Sequence, residues 1–558
     1  MSRTGAQILV DTLLDEGVEH VFGIPGGVVI PVFDVLYDSP LKVILTRHEQ
    51  GAGHAADGYA RASGKVGVVI VTSGPGATNL TTAIATANFD SSPVVAFTGQ
   101  VRTNLIGNDA FQEADMVGIS RPITKHNFLV KRVEDLGWVI RAAFHIARTG
   151  RPGPVLVDLP LDVSTSQTDA PVPKEVDIPG YKPHVKGNIR QIRLAAQAIN
   201  RAKRPLIYAG GGVIISGAHE ELRQLAEKAN LPVTTTLMGL GAIPEDHPLS
   251  LQMLGMHGTA YANFAMQHAD CIIAIGARFD DRITGKLDEF APARECIIHI
   301  DIDPSSISKN IVVDIPVVGD AKRILRELIK YVEPAQHEEW WALINDWRKK
   351  HPLTYDRSHT KLKPQYVVEQ IYEVTGGDAI ICTEVGQNQM WAAQWFTYKQ
   401  PRQFISSGGL GTMGFGFPAA IGAQVARPDK IVFDIAGDGS LQMNIQELST
   451  AVRERLPVKI ALLNNGYLGM VRQWQELFFN RRYASTYLAD GNPDFVKLAE
   501  AYGAKGILVE HHDQVRPAIE DALETDGPVI IDFRINPEEN VFPMVPAGEA
   551  IHRMRGLA

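Results

Sequence analysis

Short apolar runs of strand length alternate with segments of helical period along nearly the whole chain. Val43–Thr46, Val66–Val71, Val94–Phe97 and Val155–Leu159 are β-branched runs, mostly apolar on both faces, as strands inside a parallel sheet are. Gly51–Ala62 and Thr78–Ala87 lie between them as helical segments. A second block opens with Pro205–Ala209 and the loop Gly210-Gly211-Gly212, and continues through Cys271–Ile275 and Ile297–Ile302. A third carries Ala379–Cys382, Ile431–Ile435, Lys459–Leu463 and Val529–Phe533. This alternation predicts an α/β chain of doubly wound parallel-sheet domains. Ala170–Pro183 is Pro-rich and patternless and reads as a linker, and a Trp-rich helix with a Pro-containing connection follows Glu333. The expected boundaries are 1–170, a linker 171–188, 189–335, a connecting segment 336–363, and 364–558. The first and third blocks share a strand, Gly-rich turn, helix grammar, so two similar domains are expected to flank a different middle one.

At the N-terminus Ala6, Leu9, Val10, Leu13 and Leu14 fall at helical spacing, with Thr4 and Gln7 as a capping box. Asp11, Asp15 and Glu16 interrupt what would be the apolar core of a targeting peptide, so none is expected. The chain has 558 residues, beyond the roughly 250–300 that one core serves. A net charge of −9 without a basic run argues against a nucleic-acid partner. No apolar stretch reaches the roughly 18 residues of a membrane span. Cys271, Cys296 and Cys382 are scattered without metal-ligand spacing and read as reduced core thiols of a cytoplasmic protein.

The strongest chemical signal is Gly437-Asp438-Gly439-Ser440 after one strand and Asn464-Asn465 after the next, with the 24 residues from 440 to 463 between. In a parallel sheet a crossover of that length sets two strand C-termini side by side, where open α/β sheets bind ligands. Asp438-Gly439 alone would read as a turn. Together, a carboxylate, an amide oxygen and a backbone carbonyl suit Mg²⁺, which takes its remaining ligands from phosphate and water. The glycines admit the phosphates, and Ser440 can donate to them. The arrangement resembles the signature of thiamine-diphosphate enzymes. That resemblance implies that Asp438, Asn465 and the carbonyl of Tyr467 hold Mg²⁺. It also implies that a glutamate just after an early strand activates the cofactor through its aminopyrimidine ring. Glu49, in Arg47-His48-Glu49-Gln50 after Val43–Thr46, stands in that context; taken alone it would be an ordinary acidic residue in a helix first turn. His48 and His54 are read as structural.

Further phrases resemble the acetohydroxyacid (acetolactate) synthase family, catalytic large subunit, over essentially the whole chain. They are Phe22-Gly23-Ile24-Pro25-Gly26-Gly27, Thr72-Ser73-Gly74-Pro75-Gly76-Ala77-Thr78-Asn79, Asp109-Ala110-Phe111-Gln112-Glu113, Arg151-Pro152-Gly153-Pro154, Gly276-Ala277-Arg278-Phe279-Asp280-Asp281-Arg282 and Leu468-Gly469-Met470-Val471-Arg472-Gln473-Trp474. The resemblance implies pyrimidine-binding, central FAD-binding Rossmann-like and diphosphate-binding domains. It places Gly26, Phe111 and Gln112 on the substrate side of the thiazolium and makes Met413 the apolar wedge that bends the cofactor. Val385, Gly386, Gln387, Asn388, Gln389, Gly411, Gly437, Gly439, Ser440, Leu468, Gly469 and Met470 would contact thiamine diphosphate. Arg282 would pair with the carboxylate of the second keto acid. Trp474 would pack on the extra methylene of 2-ketobutyrate, an effect of about 1–3 kcal/mol. FAD, structural here, would lie on Arg151, Gly210, Gly211, Gly212, Thr236, Leu237, Met238, Met256, His257, Gly276, Arg278, Asp280, Arg282, Asp301, Ile302 and Asp320.

Three positions depart from the family pattern: Arg102 and Leu161, where many relatives have Pro and Lys, and Asn388, where His is usual. The implied reaction joins pyruvate to a second pyruvate or to 2-ketobutyrate with loss of CO₂, in branched-chain amino-acid synthesis. The implied assembly is at least a homodimer with its active site between subunits, in relatives also a tetramer, often with a small regulatory subunit. Two rival readings share the pattern: a pyruvate oxidase using the same cofactors, and a nucleotide-binding scaffold without catalysis.

Overall fold

The chain's folding follows from where its β-branched runs can be buried. In the computed structural model, which describes residues 2–358 and 360–557, Gly67–Val71 and Val94–Gln100 are buried at every position. They form the middle of a six-stranded parallel sheet in the order Lys42–Leu45, His20–Ile24, Gly67–Val71, Val94–Gln100, Val155–Pro160, His126–Leu129. Numbered along the chain, that order is 2-1-3-4-6-5. The last sheet runs Phe404–Ile405, Ile380–Thr383, Val432–Gly437, Lys459–Asn464, Val529–Arg534, Lys505–Val509, all parallel. Its order is 2-1-3-4-6-5 again. The central sheet differs: Ser250–Met253, Val233–Thr235, Pro205–Ala209, Cys271–Ile275, Cys296–Asp301, Ile315–Val318. Its order, 3-2-1-4-5-6, is that of dinucleotide-binding sheets. Three doubly wound parallel sheets are thus present, two of one topology around one of another.

Strand ends shift by a residue or two from the sequence expectation, and several strands carry no apolar run. His20–Ile24 contains a histidine and a glycine, and Lys505–Val509 is an edge strand with only Val509 buried. The segment expected as one helix from 78 to 87 is two, Pro75–Thr78 and Thr81–Phe89. Between Thr168 and Ile189 the chain has no helix or strand. Helix Glu338–Lys350, inside the segment read as a connection, buries Trp340 and Ile344 in the central core, and the Trp340 indole donates to the Pro205 carbonyl (3.0 Å). The C-terminal tail returns to the same domain: Ile551 joins that core, and Asn263 donates to its carbonyl (3.1 Å).

The first and third domains meet along helices Glu49–Ser63 and Gly416–Ala426. A Cβ on Gly58 would stand 2.1 Å from the Ala419 carbonyl oxygen, and one on Gly422 1.8 Å from that of Ala55. The helices therefore touch backbone to backbone. Beside them Arg61, part-buried, donates to Asp57 (2.6 Å), Asp90 (3.0 Å) and the Ser406 carbonyl (2.5 Å), and Asp90 accepts from the Gly409 N–H (2.7 Å). His54, fully buried, sets its ring edge-on to Phe415 at 5.3 Å.

Gly422→Ala should lower stability by about 1–3 kcal/mol, although alanine is the better helix former; thermal unfolding measures it. A pH effect follows from His54. Burial depresses its pKa from 6.5 to about 4, so the unfolded chain takes up a proton there that the folded chain refuses. Stability is complete above pH 6.5 and is lost as the pH falls towards 4, by up to about 3 kcal/mol. His257, depressed to about 4 by burial, acts in the same direction. Unfolding midpoints of His54→Gln should therefore depend less steeply on pH between 4 and 6.5 than those of the parent.

Candidate active site

In the third domain the order reverses between Ile380–Thr383 and Val432–Gly437, so their C-terminal ends diverge and leave a crevice. Asp438 follows the second of these strands, and Asn465 follows its neighbour Lys459–Asn464. Asp438 is 1% exposed; Oδ2 accepts from Asn492 Nδ2 (2.7 Å), and Oδ1 has no partner among the described residues. Burial raises its pKa to about 6, against the hydrogen bonding that stabilises the carboxylate. Asn465 is held through Nδ2, which donates to Gln387 Oε1 (3.2 Å), while its Oδ1 accepts from the Tyr467 N–H (3.0 Å). No group of three or more His, Cys, Asp or Glu side chains suited to a metal occurs among the described residues. A cation at Asp438 would therefore complete its shell with amide, carbonyl and phosphate oxygens, as Mg²⁺ does. The unpartnered Oδ1 fits that role.

Around this point Gly386 adopts φ +149° before helix Gln387–Trp395, and a Cβ on Gly469 would lie 2.2 Å from Gln387 Oε1. At Gly469 the Gln387 amide takes the space a side chain would need, and at Gly386 the backbone is one that other residues rarely adopt. Ser440 donates to Glu384 Oε2 (2.6 Å). Glu384 also accepts from the Gly414 N–H (2.7 Å) and from the Phe417 N–H (3.0 Å), which fixes the loop that carries Met413. Asn388 spends its Nδ2 on the Ile435 carbonyl (2.8 Å), and its Oδ1 lies 2.9 Å from where a Gly386 Cβ would be.

A cavity of about 1040 Å³ runs from this crevice to the central domain. Its walls include Val385, Gly386, Gln387, Asn388, Gln389, Gly411, Met413, Gly437, Gly439, Ser440, Asn465, Tyr467, Leu468, Gly469, Met470 and Trp474. From the central domain come Gly211, Gly212, Thr236, Leu237, Met238, Met256, His257, Gly276, Arg278, Asp280, Arg282, Asp301, Ile302 and Asp320, and from the first domain Arg151. Asp438 and Gly210 lie behind the wall. The central part is a backbone cradle at that sheet's own switch point. A Cβ on Gly210 would stand 2.2 Å from the Gly276 carbonyl oxygen, and one on Gly212 2.6 Å from Gly276 Cα. Such a cradle fits the phosphates and ribityl chain of a flavin dinucleotide. Arg282 has its guanidinium 5.9 Å from the Trp474 ring centre, so the two residues expected to select the second substrate are neighbours. Asp320 also caps helix Ala321–Leu328 through the Arg323 N–H (3.0 Å).

Glu49, Gly26, Phe111 and Gln112 do not line this cavity. They form a second cluster at the edge of the first sheet. Glu49 is the first residue of its helix, and its Oε2 accepts from Asn79 Nδ2 (2.9 Å). A Cβ on Gly76 would lie 3.3 Å from Glu49 Oε1, one on Gly26 2.5 Å from Thr72, and one on Gly74 2.8 Å from Gln112. Gln112 takes φ +58°, a left-handed backbone unusual for its type, and the adjacent Phe111 is 88% exposed.

Comparison with known proteins matches residues 3–119 to the thiamine pyrophosphate enzyme N-terminal TPP binding domain, 192–328 to the central domain, and 384–533 to the C-terminal TPP binding domain. The chain is 52% identical to the acetolactate synthase large subunit IlvB1 of Mycobacterium tuberculosis, over 99% of this chain and 92% of the relative. It is 52% identical to a probable acetolactate synthase large subunit of Methanocaldococcus jannaschii, over 98% and 94%. It is 48% identical to the acetolactate synthase isozyme 3 large subunit of Escherichia coli, over 99% and 98%. The chain belongs to the acetolactate synthase large-subunit family. Thiamine diphosphate, Mg²⁺ and FAD are that family's cofactors, and the crevice, the unpartnered Asp438 oxygen and the glycine cradle suit them.

Three residues that sequence reading passed over stand behind this family's motifs. Asn492 holds Asp438, and Glu384 holds Ser440 and the Met413 loop. Glu447, buried, reaches across the domain boundary and accepts from the N–H groups of Arg47 (3.1 Å) and His48 (2.9 Å), the two residues that launch the Glu49 helix. Burial pushes its carboxyl up, offset by the Thr450 hydroxyl and those two donors. Their one sequence signal is type, an acid or an amide; the separation of 399 residues between Glu447 and His48 hides the pairing. Glu447→Ala should leave both donors without a partner, at about 1–3 kcal/mol each, and should lower turnover together with the unfolding midpoint. Glu447→Gln, which keeps one acceptor oxygen, should fall between in both assays.

Proposed function

We propose that the protein condenses pyruvate with a second pyruvate or 2-ketobutyrate, releasing CO₂, to give 2-acetolactate or 2-aceto-2-hydroxybutyrate for valine, leucine and isoleucine synthesis. The observation that carries this reading is Asp438, a buried carboxylate with one oxygen held and one left free, beside Asn465 at a switch point that opens on a long cavity. Thiamine diphosphate, when bound, supplies the electron sink that side chains lack. Asp438, Asn465 and the Tyr467 carbonyl would hold its Mg²⁺. Ser440 and the backbone of 385–389 would line its diphosphate, and Met413 would press on its middle. Glu49, with Oε2 occupied by Asn79, presents Oε1 to share a proton with a ring nitrogen of the aminopyrimidine. Arg282 orients the carboxylate of the second keto acid, and Trp474 packs against its alkyl end. The central cradle and Arg151 would hold FAD as a structural element.

The two clusters within one chain line different spaces, which supports an active site completed by a second copy. Glu49, Gly26, Gln112 and the exposed Phe111 of one protomer would close over the crevice of its partner. A homodimer is then the smallest active unit, and a tetramer would be two of them. The words large subunit in the relatives' names support a small regulatory partner as well. No helix among the described residues is long and apolar enough to cross a membrane, and a cytoplasmic location is part of this reading.

Acetolactate formed from pyruvate, with thiamine diphosphate, Mg²⁺ and FAD omitted in turn, tests the proposal. Product should require all three and should fall at least about 100-fold in Glu49→Ala, the usual scale of a lost acid–base group. Sedimentation should show a dimer or larger under assay conditions. Flavin reduction on adding pyruvate, without acetolactate, would identify an oxidase instead, and an active monomer would remove the two-copy site.

A further inference from the structure

Cys271 and Cys296 are 25 positions apart in sequence and directly opposite one another in adjacent parallel strands of the central sheet. Both side chains lie on the face that packs against Ile199 and Leu328, in one apolar cluster. Neighbouring strands run about 4.8 Å apart, within the roughly 4.4–6.8 Å of Cα separation that a disulfide spans. Cys271 is 2% exposed, whereas Cys296 is half-buried. The sulfur beside it is the largest influence on each thiol's pKa, lowering that of Cys296 and raising that of Cys271; burial and Asp314 oppose the shift at Cys296, and Arg201 adds to it. One cysteine thus stands nearer the surface, and a second lies opposite it in the core. This is the arrangement of an attacking and a resolving cysteine.

We infer that Cys271 and Cys296 are a reversible dithiol–disulfide site that reacts with low-molecular-weight disulfides. The Cys296 thiolate attacks one sulfur of the small disulfide, forming a mixed disulfide and releasing one small thiolate. The Cys271 sulfur then attacks the Cys296 sulfur, giving its proton to the thiolate already released. The Cys271–Cys296 bond forms, the second small group leaves as its thiolate, and two electrons have passed from the protein to the small disulfide. The bond closes a loop of the 24 residues from 272 to 295, the segment that brings Gly276, Arg278, Asp280 and Arg282 to the cavity. It forms at the opposite end of those strands, so it stiffens the frame of the flavin cradle without entering it.

The test is incubation of the cofactor-loaded, full-length enzyme with oxidised glutathione, alkylation of remaining thiols after unfolding, and mass analysis. The protein should lose the mass of two hydrogens and yield a joined Cys271–Cys296 peptide, reversibly on reduction. Cys382, fully buried and alone, should be recovered alkylated. Cys271→Ser should stop at one glutathione on Cys296. Cys296→Ser should show neither change while forming acetolactate as the parent does, which establishes that it folds. The oxidised parent should unfold at a higher temperature than the reduced one. Recovery of both thiols alkylated after oxidation would overturn the inference, and so would glutathione persisting on Cys296 of the parent.

Discussion

Backbone contact between helices Glu49–Ser63 and Gly416–Ala426 is the constraint on which both halves of the site depend. Two helices approach this closely only where side chains are absent, and Gly58 and Gly422 supply those gaps. One helix begins with Glu49. The other begins just after the loop carrying Met413, and Glu384 ties that loop to the helix's first turn. Seam and functional residues are therefore one rigid body, clamped along its side by Arg61, Asp57 and Asp90. Buried charges of this kind contribute little net stability when complete and are costly to leave half-made. Their main effect here is to permit one register of the two domains.

The first and third sheets share a strand order and yet carry different chemistry at equivalent places. Each has its crevice after the first and third strands of its own domain. In the third domain that crevice holds Glu384, Gly386 and Asp438; in the first it holds Gly26 and Thr72 to Gly76, with Glu49 beyond the neighbouring strand. The first-domain version has no acid in the position of Asp438, and its glycines pack against Thr72 and Gln112. One presents a buried carboxylate with an unpartnered oxygen, the other a carboxylate held on one side by Asn79. The central sheet, with the dinucleotide order, uses glycines on both sides of its switch point, so Gly210 and Gly212 meet Gly276 where the longest stretch of phosphate and ribityl chain would have to pass.

The sequence reveals those parts of the fold in which a residue's type and its local pattern agree. Interior strands such as Val66–Val71 were legible because burial on both faces leaves an unbroken apolar run, and Asp438 and Asn465 because two consecutive strand ends carry them. The edge strand Phe404–Ile405 was not, because two residues make no pattern, nor was Lys505–Val509, since an edge strand has one partner and tolerates polar residues. The break between Pro75–Thr78 and Thr81–Phe89 was hidden by small residues that suit one continuous helix equally well. Helix Glu338–Lys350 was legible as a helix, but its docking on the central core depends on where Trp340 points, which periodicity alone does not fix. Asn492, Glu384 and Glu447 were missed because the partners across the fold that they hold lie 30 to 400 residues away.

Hydrogen-bond accounting separates the carboxylates with both oxygens held by the protein from those with one left free. Glu384 and Glu447 have both oxygens occupied by protein donors and belong to the frame. Asp438 and Glu49 each have one oxygen held, by Asn492 and by Asn79, and one without a partner among the described residues. A held oxygen fixes the direction of its twin, so the free lone pairs are aimed before any ligand arrives, and little ordering entropy remains to be lost on binding. Asp434 shows the limit of the rule. It is fully buried with both oxygens unpartnered, and burial beside Glu384 drives its pKa well above the ordinary range. It packs against Gly416, where a negative charge would face Glu384 with no donor to balance it, so its surroundings disfavour the charged form.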